Sequence, residues 1–350
     1  MSQNLGFAHQ DPQATKNQPP ILFVIFENPN DYMRTCFFLF LFITSGVFAQ
    51  SNYEQAEAYY RAGQFNKAKP IFQQHLLENR NDPQTREYLG DIAGYTKKYD
   101  QAIEIFKVLV AEDPTNASYH FKLGGTLGMK ALEISKIRAL SYISDIKFHL
   151  GEAARLDPKH IETRWALVEF YIQLPGIIGG SEEKAINFAK QLAAISKVDG
   201  FLAQGYIAEY TNRLNDAERF YKQAIAIGGS AHTYEKLTAH YENNNQPEEA
   251  IAIASKSLEI HKRNQLNYQI GKLAAQYNVE TEKGINCLKI YIANHSVNDG
   301  VPKDWAYYRL AQIYKNLGKK TVALQWIELA LSQRPDFEQA LEEKQFILSL

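Results

Sequence analysis

The chain has 350 residues, 45% of them hydrophobic and 22% charged, which excludes a disordered or fibrous chain and allows a substantial core. Formal net charge is -1, and basic and acidic side chains become equal in number once residues 1–49 are set aside, so no long-range field draws the chain to nucleic acid. Two cysteines, Cys36 and Cys287, exclude a disulfide framework and a cysteine-based zinc site.

Residues 1–32 are polar and rich in Pro, Gln and Asn apart from the run Ile21–Phe26. They read as a disordered leader upstream of a true start at Met33. From there Arg34 supplies a positive charge, Phe37–Ile43 is continuously apolar, and Val47 and Ala49 occupy the two small-residue positions of a cleavage site. Residues 33–49 are therefore predicted to be a secretory signal peptide cut before Gln50, giving an exported protein, periplasmic or secreted. The apolar part is too short to span a bilayer comfortably, so no stable membrane span is expected after cleavage. The alternative is a chain tethered to the membrane by its uncleaved leader. Cys36 precedes the apolar run and is not placed for lipidation.

Amphipathic helical patterns follow in pairs, with a period of about 34 residues. The first copy, 49–82, carries Tyr59, Gly63, Phe65, Ala68 and Phe72; the second, 83–116, carries Leu89, Gly90, Tyr99, Ala102, Phe106 and Pro114. The third begins at Ala117 with Leu123, Gly124 and Leu127. Its stretch 129–156 has helix formers and no Pro, and predicts one or two lengthened, projecting helices, at the longest a single helix over 129–156, that carry Lys130, Lys136, Arg138 and Lys147. The fourth copy has Trp165, Leu167, Phe170 and Tyr171, then an enlarged turn at 175–181. That turn is expected to pack Ile177 and Ile178 into a groove beside the third copy, with Ser181 as N-cap of a helix Glu182–Ile195. An anion cradle there is disfavoured, because Glu182 and Glu183 would repel the anion and no Lys follows.

The fifth copy carries Gly205, Ala217 and Tyr221; the sixth Leu237, Tyr241 and Ala250; the degenerate seventh Gly271, Leu288 and Tyr291. A polar loop over 294–303 leads to Trp305–Pro335, the plainest copy. In it Leu310, Ala311 and Tyr314 share one helical face, Gly318 ends that helix, and Ala323, Ile327 and Ala330 share a face of the next, which Pro335 ends. This pattern resembles the tetratricopeptide repeat, with Ala311 in place of the usual helix Gly; the combination with a leader is similar to exported bacterial members. The resemblance implies an all-α, right-handed superhelical solenoid of about eight helix–turn–helix repeats over 50–335. Residues 336–350 would form the capping helix that a terminal repeat needs.

The resemblance also implies that fixed positions on each first helix line a concave groove. In this chain those are Tyr53, Glu57, Tyr60, Arg61, Glu87, Asp91 and Tyr95, then Phe121, Trp165, Glu169, Tyr206, Glu209 and Tyr210, with further positions Glu235, Glu242, Tyr268 and Tyr308. Such a groove is aromatic and acidic, and suits an extended peptide with apolar and basic side chains. Nothing in the sequence assembles a catalytic set: the His residues lack metal-ligand spacing, and Cys287 reads as a small buried residue. The expected function is therefore non-catalytic, a scaffold or assembly factor of the cell envelope that binds protein or peptide partners and needs no cofactor or metal. The alternative is a small-molecule receptor or enzyme with a pocket near 175–181.

Overall fold

The computed structural model describes residues 52–350; the leader, the signal peptide and its cleavage site before Gln50 lie outside the described residues. The described residues contain helices and turns and no strand. They divide into two compact units at Thr163/Arg164.

In the first unit, α1 (Asn52–Arg61) pairs with α2 (Phe65–Glu78), α3 (Pro83–Tyr95) with α4 (Tyr99–Glu112), and α5 (Ala117–Glu133) with α7 (Ile143–Leu156). Local chemistry sets the helix starts. The Asp82 carboxylate accepts from the backbone N–H groups of Gln84 and Thr85, and Pro83 loses nothing at the first helical position. Asn116 caps α5 in the same way through Ser118 and Tyr119. Between paired helices, small faces large. A Cβ on Gly90 would lie 2.8 Å from the Phe106 ring, and one on Gly124 would lie 3.0 Å from Leu150 Cγ.

The predicted helix over 129–156 is broken. α5 ends at Glu133, Ile134 and Ser135 are extended, and a short helix α6 (Lys136–Ala139) and a 3-10 turn (Leu140–Tyr142) lead into α7. The reason is antiparallel packing: Gly124 faces Leu150 and His120 faces His149, so the chain must reverse between them. No Pro or Gly marks the break. Only the first helix is lengthened, to 17 residues.

The second unit opens within α8 (Ile161–Gln173), followed by α9 (Glu182–Ile195). Four pairs come next: α10 (Lys197–Tyr210) with α11 (Leu214–Gly228), α12 (Ala231–Asn243) with α13 (Pro247–His261), α14 (Asn264–Tyr277) with α15 (Thr281–Ala293), and α16 (Lys303–Asn316) with α17 (Lys320–Gln333). Gly205 and Gly271 sit against Tyr221 and Leu288, repeating the small-on-large contact. α18 (Glu338–Ser349) closes the unit: Phe337 and Ala340 are buried against Ile327 and Ala330, and Ile347 is buried as well.

The turn inside five of the pairs repeats one backbone device. Gly63, Lys97, Asn212, Asn245 and Gly318 all have positive φ at the same place between the two helices. Gly and Asn meet that requirement at little cost, whereas Lys97 adopts it against its Cβ.

Candidate functional site

The first-helix faces carry the candidate residues, and the structure ties most of them to the next repeat. In the first unit the Tyr60 hydroxyl donates to Asp91 Oδ2 at 3.0 Å, and the Tyr88 hydroxyl donates to Glu57 Oε1 at 2.8 Å. Burial and the hydrogen bond to Glu57 push the Tyr88 phenol up to about 12. Lys122 Nζ lies 2.6 Å from Asp91 and 2.7 Å from Glu87, so one cation answers two carboxylates. Burial opposes the charge on Lys122, and the two carboxylates outweigh it, raising its pKa. Burial also holds the Asp91 carboxyl above its ordinary value, against the pull of Lys122. Arg61 stands 4.0 Å from Glu57.

The acids of this face are therefore committed, and its expected acidic character is largely neutralised. Its aromatic character remains. Tyr53 packs edge-on to Phe72, Tyr95 stacks on Phe65 at 5.0 Å with part of its ring exposed, and Phe121 packs on His160.

In the second unit, Trp165 Nε1 donates to Asp199 Oδ1 at 2.9 Å, which fixes the indole between neighbouring helices. Glu209 accepts from Tyr221 at 2.9 Å, and its Oε1 lies 3.4 Å from His240 Nδ1. Burial raises the Glu209 carboxyl, and the hydrogen bonds from His240 and Tyr221 outweigh it, so its pKa falls. Gln173 Nε2 donates to the Tyr206 hydroxyl at 2.8 Å, while the Tyr210 hydroxyl donates to the Gln173 carbonyl at 3.3 Å. Burial pushes the Tyr206 phenol up to about 12. Tyr210 is 52% exposed.

Glu169 differs from the other acids. It is half-buried one turn after Trp165, beside Tyr206, and no hydrogen-bond partner for it stands among the described residues. Burial raises its carboxyl pKa, and Lys236 of α12 draws it back in part.

Sequence reading missed Lys122, Gln173, Lys236 and His240. A signal for two of them was present. Glu57–Tyr88, Tyr60–Asp91, Asp91–Lys122 and Glu209–His240 are all 31 residues apart. A polar pair recurring slightly short of the repeat length marks contact between successive first helices.

The enlarged turn differs from expectation. Ile177 is 96% exposed at the centre of a 3-10 turn, so it packs into no groove. The turn closes on its own backbone. A Cβ on Gly180 would lie 1.8 Å from the Leu174 carbonyl oxygen, and Gly179 has φ +105. Ser181 caps α9 through the Lys184 N–H, as expected.

His120 and His149 meet at 3.0 Å between their Nδ1 atoms, yet no group of three metal-ligating side chains occurs among the described residues. Cys287 is buried, and burial raises its thiol pKa, as its reading as a packed residue expected. Among the described residues no helix is long and apolar enough to cross a membrane.

The stacked helix pairs, the small-on-large contacts and the repeated left-handed turn define an all-α helical repeat protein. Residues 53–117 and 306–342 match the tetratricopeptide repeat family, and the protein is a tetratricopeptide repeat protein. No curated protein is detectably similar in sequence. Among solved structures, a tetratricopeptide repeat protein from Parabacteroides merdae is 12% identical, with 85% of this chain and 98% of that one covered and a TM-score of 0.46. A thermophilic TPR protein of Thermus thermophilus is 17% identical, with 69% and 97% covered and a TM-score of 0.38. YrrB, described as a TPR protein with an unusual peptide-binding site, is 14% identical, with 56% and 97% covered and a TM-score of 0.40. Proteins built from these repeats generally mediate protein–protein interaction and are typically non-catalytic scaffolds.

Proposed function

We propose that this chain is a non-catalytic scaffold or assembly factor of the cell envelope that binds extended peptide segments of partner proteins on its first-helix faces. The observation that carries this reading is Glu169. A half-buried carboxylate without a hydrogen-bond partner among the described residues, set beside Trp165, Tyr206 and the exposed Tyr210, suits a lysine or arginine side chain of a bound peptide. The neighbouring groups are already held by Gln173 and Asp199, so little order is lost on binding.

The test is fluorescence anisotropy with an extended peptide bearing Lys or Arg between apolar residues. Glu169→Gln and Tyr210→Ala are each expected to weaken binding by about tenfold, since charge-assisted and aromatic contacts of this kind contribute on the order of 1–3 kcal/mol. Binding needs the ionised carboxylate. Because its pKa is raised, affinity is expected to fall as pH drops through the upper carboxylate range, and this dependence should vanish in Glu169→Gln. Unchanged affinity in both variants would sink the groove assignment.

Export is the second part of the proposal, and it rests on the leader pattern of residues 33–49. Intact-mass measurement of the native protein is expected to give a chain beginning at Gln50. Retention of Met33–Ala49 in a membrane fraction would instead support the tethered alternative.

A further inference from the structure

We infer that the connector between α5 and α7 is a membrane-surface contact that takes anionic phospholipid headgroups. Over residues 132–140 the chain exposes apolar and basic side chains together. Ile137 is 83% exposed, Leu132 73%, and Leu140 about half. Lys136 and Arg138 flank Ile137 directly and are exposed as well. Neither the short helix nor the 3-10 turn buries a single residue, so this apolar surface has no task inside the fold. The left-handed turn positions inside the other helix pairs carry Gly, Asn, Lys or Glu.

The charges favour an anionic surface. Glu133, the nearest carboxylate in sequence, is taken by Lys97 at 3.4 Å, and Lys130 is taken by Asp100 at 2.7 Å. No carboxylate among the described residues pairs with Lys136 or Arg138. An apolar tip between two unpaired cations matches a bilayer interface: the aliphatic side chain enters the acyl boundary while ammonium and guanidinium groups stay with phosphates. The size of the patch points the same way. A stable protein interface takes about 20–30 residues from each side, far more than this connector offers. A lipid surface sets no such minimum, and one short contact of this kind gives weak, reversible attachment. Ile177, the other strongly exposed isoleucine, sits among Pro, Gly and Ile without an adjacent cation, and serves as the contrast.

The experiment is flotation of the full chain with phosphatidylcholine vesicles containing about 30 mol% phosphatidylglycerol, comparing variants that share the same leader. Each basic side chain at an anionic surface is expected to contribute about fivefold to binding. Lys136→Glu with Arg138→Glu should therefore lower vesicle affinity by at least about tenfold, and salt at about 0.5 M should do the same to the parent. Ile137→Ser should lower it several-fold, whereas Ile177→Ser should leave it unchanged. Circular dichroism should show all variants folded, because the altered side chains are exposed. Two results would overturn the inference: charge-reversed protein that floats like the parent, or Ile177→Ser that falls as far as Ile137→Ser. If charge reversal abolishes capture on immobilised polyglutamate but not flotation, the partner is an acidic polypeptide and the lipid assignment fails.

Discussion

Replacing Gly200 with valine is expected to destabilise the second unit by about 3 kcal/mol or more, at the upper end of what overpacking costs. α9 and α10 are joined by one residue. Ser196 is both the C-cap of the first and the N-cap of the second, and its hydroxyl accepts from the Asp199 N–H at 3.3 Å. So short a link brings the two backbones together at Ala193 and Gly200. A Cβ at Gly200 would lie 2.4 Å from Ala193 Cα and 2.8 Å from Ala193 N. Backbone atoms cannot turn aside as a flexible side chain can, so the helices must separate. Separation would also strain the neighbouring contact of Gly205 with Tyr221. Gly151→Ala is the matched control. Gly151 lies within α7 with nothing within 4 Å of an added Cβ, so alanine should be neutral or stabilise by up to about 1 kcal/mol through helix propensity. Urea unfolding followed by circular dichroism separates the two cases. A Gly200→Val midpoint equal to that of the parent would show that the single-residue link has more slack than its geometry implies.

The contrast between these glycines shows which parts of the fold the sequence exposes. Gly90, Gly124, Gly205 and Gly271 stand at a fixed place in each repeat, so periodicity alone marks them as close-approach sites. Gly200 stands outside that register. Its need arises from the one-residue link, and nothing local distinguishes it from Gly94 or Gly151, which face open space. The break at Ile134–Ser135 was hidden for a related reason. Local propensity allows the helix to continue, and only the antiparallel packing of α5 and α7 forbids it. The exposure of Ile177 was hidden because hydrophobicity suggests burial, whereas Gly179 and Gly180 close the turn on backbone contacts that leave the side chain outside. For the candidate site, the resemblance to the repeat family implied which first-helix positions carry the aromatic and acidic residues. It could not show which acids were free to bind. That depends on partners from the next repeat, and Glu169 is set apart from Glu87, Asp91 and Glu209 by having no hydrogen-bond partner among the described residues.

Lys122→Met should destabilise the first unit by about 3 kcal/mol, because it strands two largely buried carboxylates. Lys122, Asp91 and Glu87 come from α5 and α3, and Tyr60 of α1 joins them through Asp91. One substitution thus loosens the coupling across three successive first helices, which matters in a repeat fold held by nearest-neighbour contacts. Methionine keeps the stem that packs there, so the loss reports charge more than volume. Adding Asp91→Asn to Lys122→Met should recover part of it, and the double-mutant cycle should give a coupling well above the measurement error. The pH dependence carries a definite sign. The Lys122 pKa is raised on folding, so its contribution is complete below the ordinary lysine range and is lost as pH rises through the raised value. Towards acid, protonation of Asp91, whose own pKa is raised by burial, relieves the variant of its stranded charge. The stability gap between parent and variant should therefore be widest near neutrality and narrow at both ends. A gap independent of pH would assign the cost to packing of the lysine stem and remove Lys122 from the electrostatic account of this face.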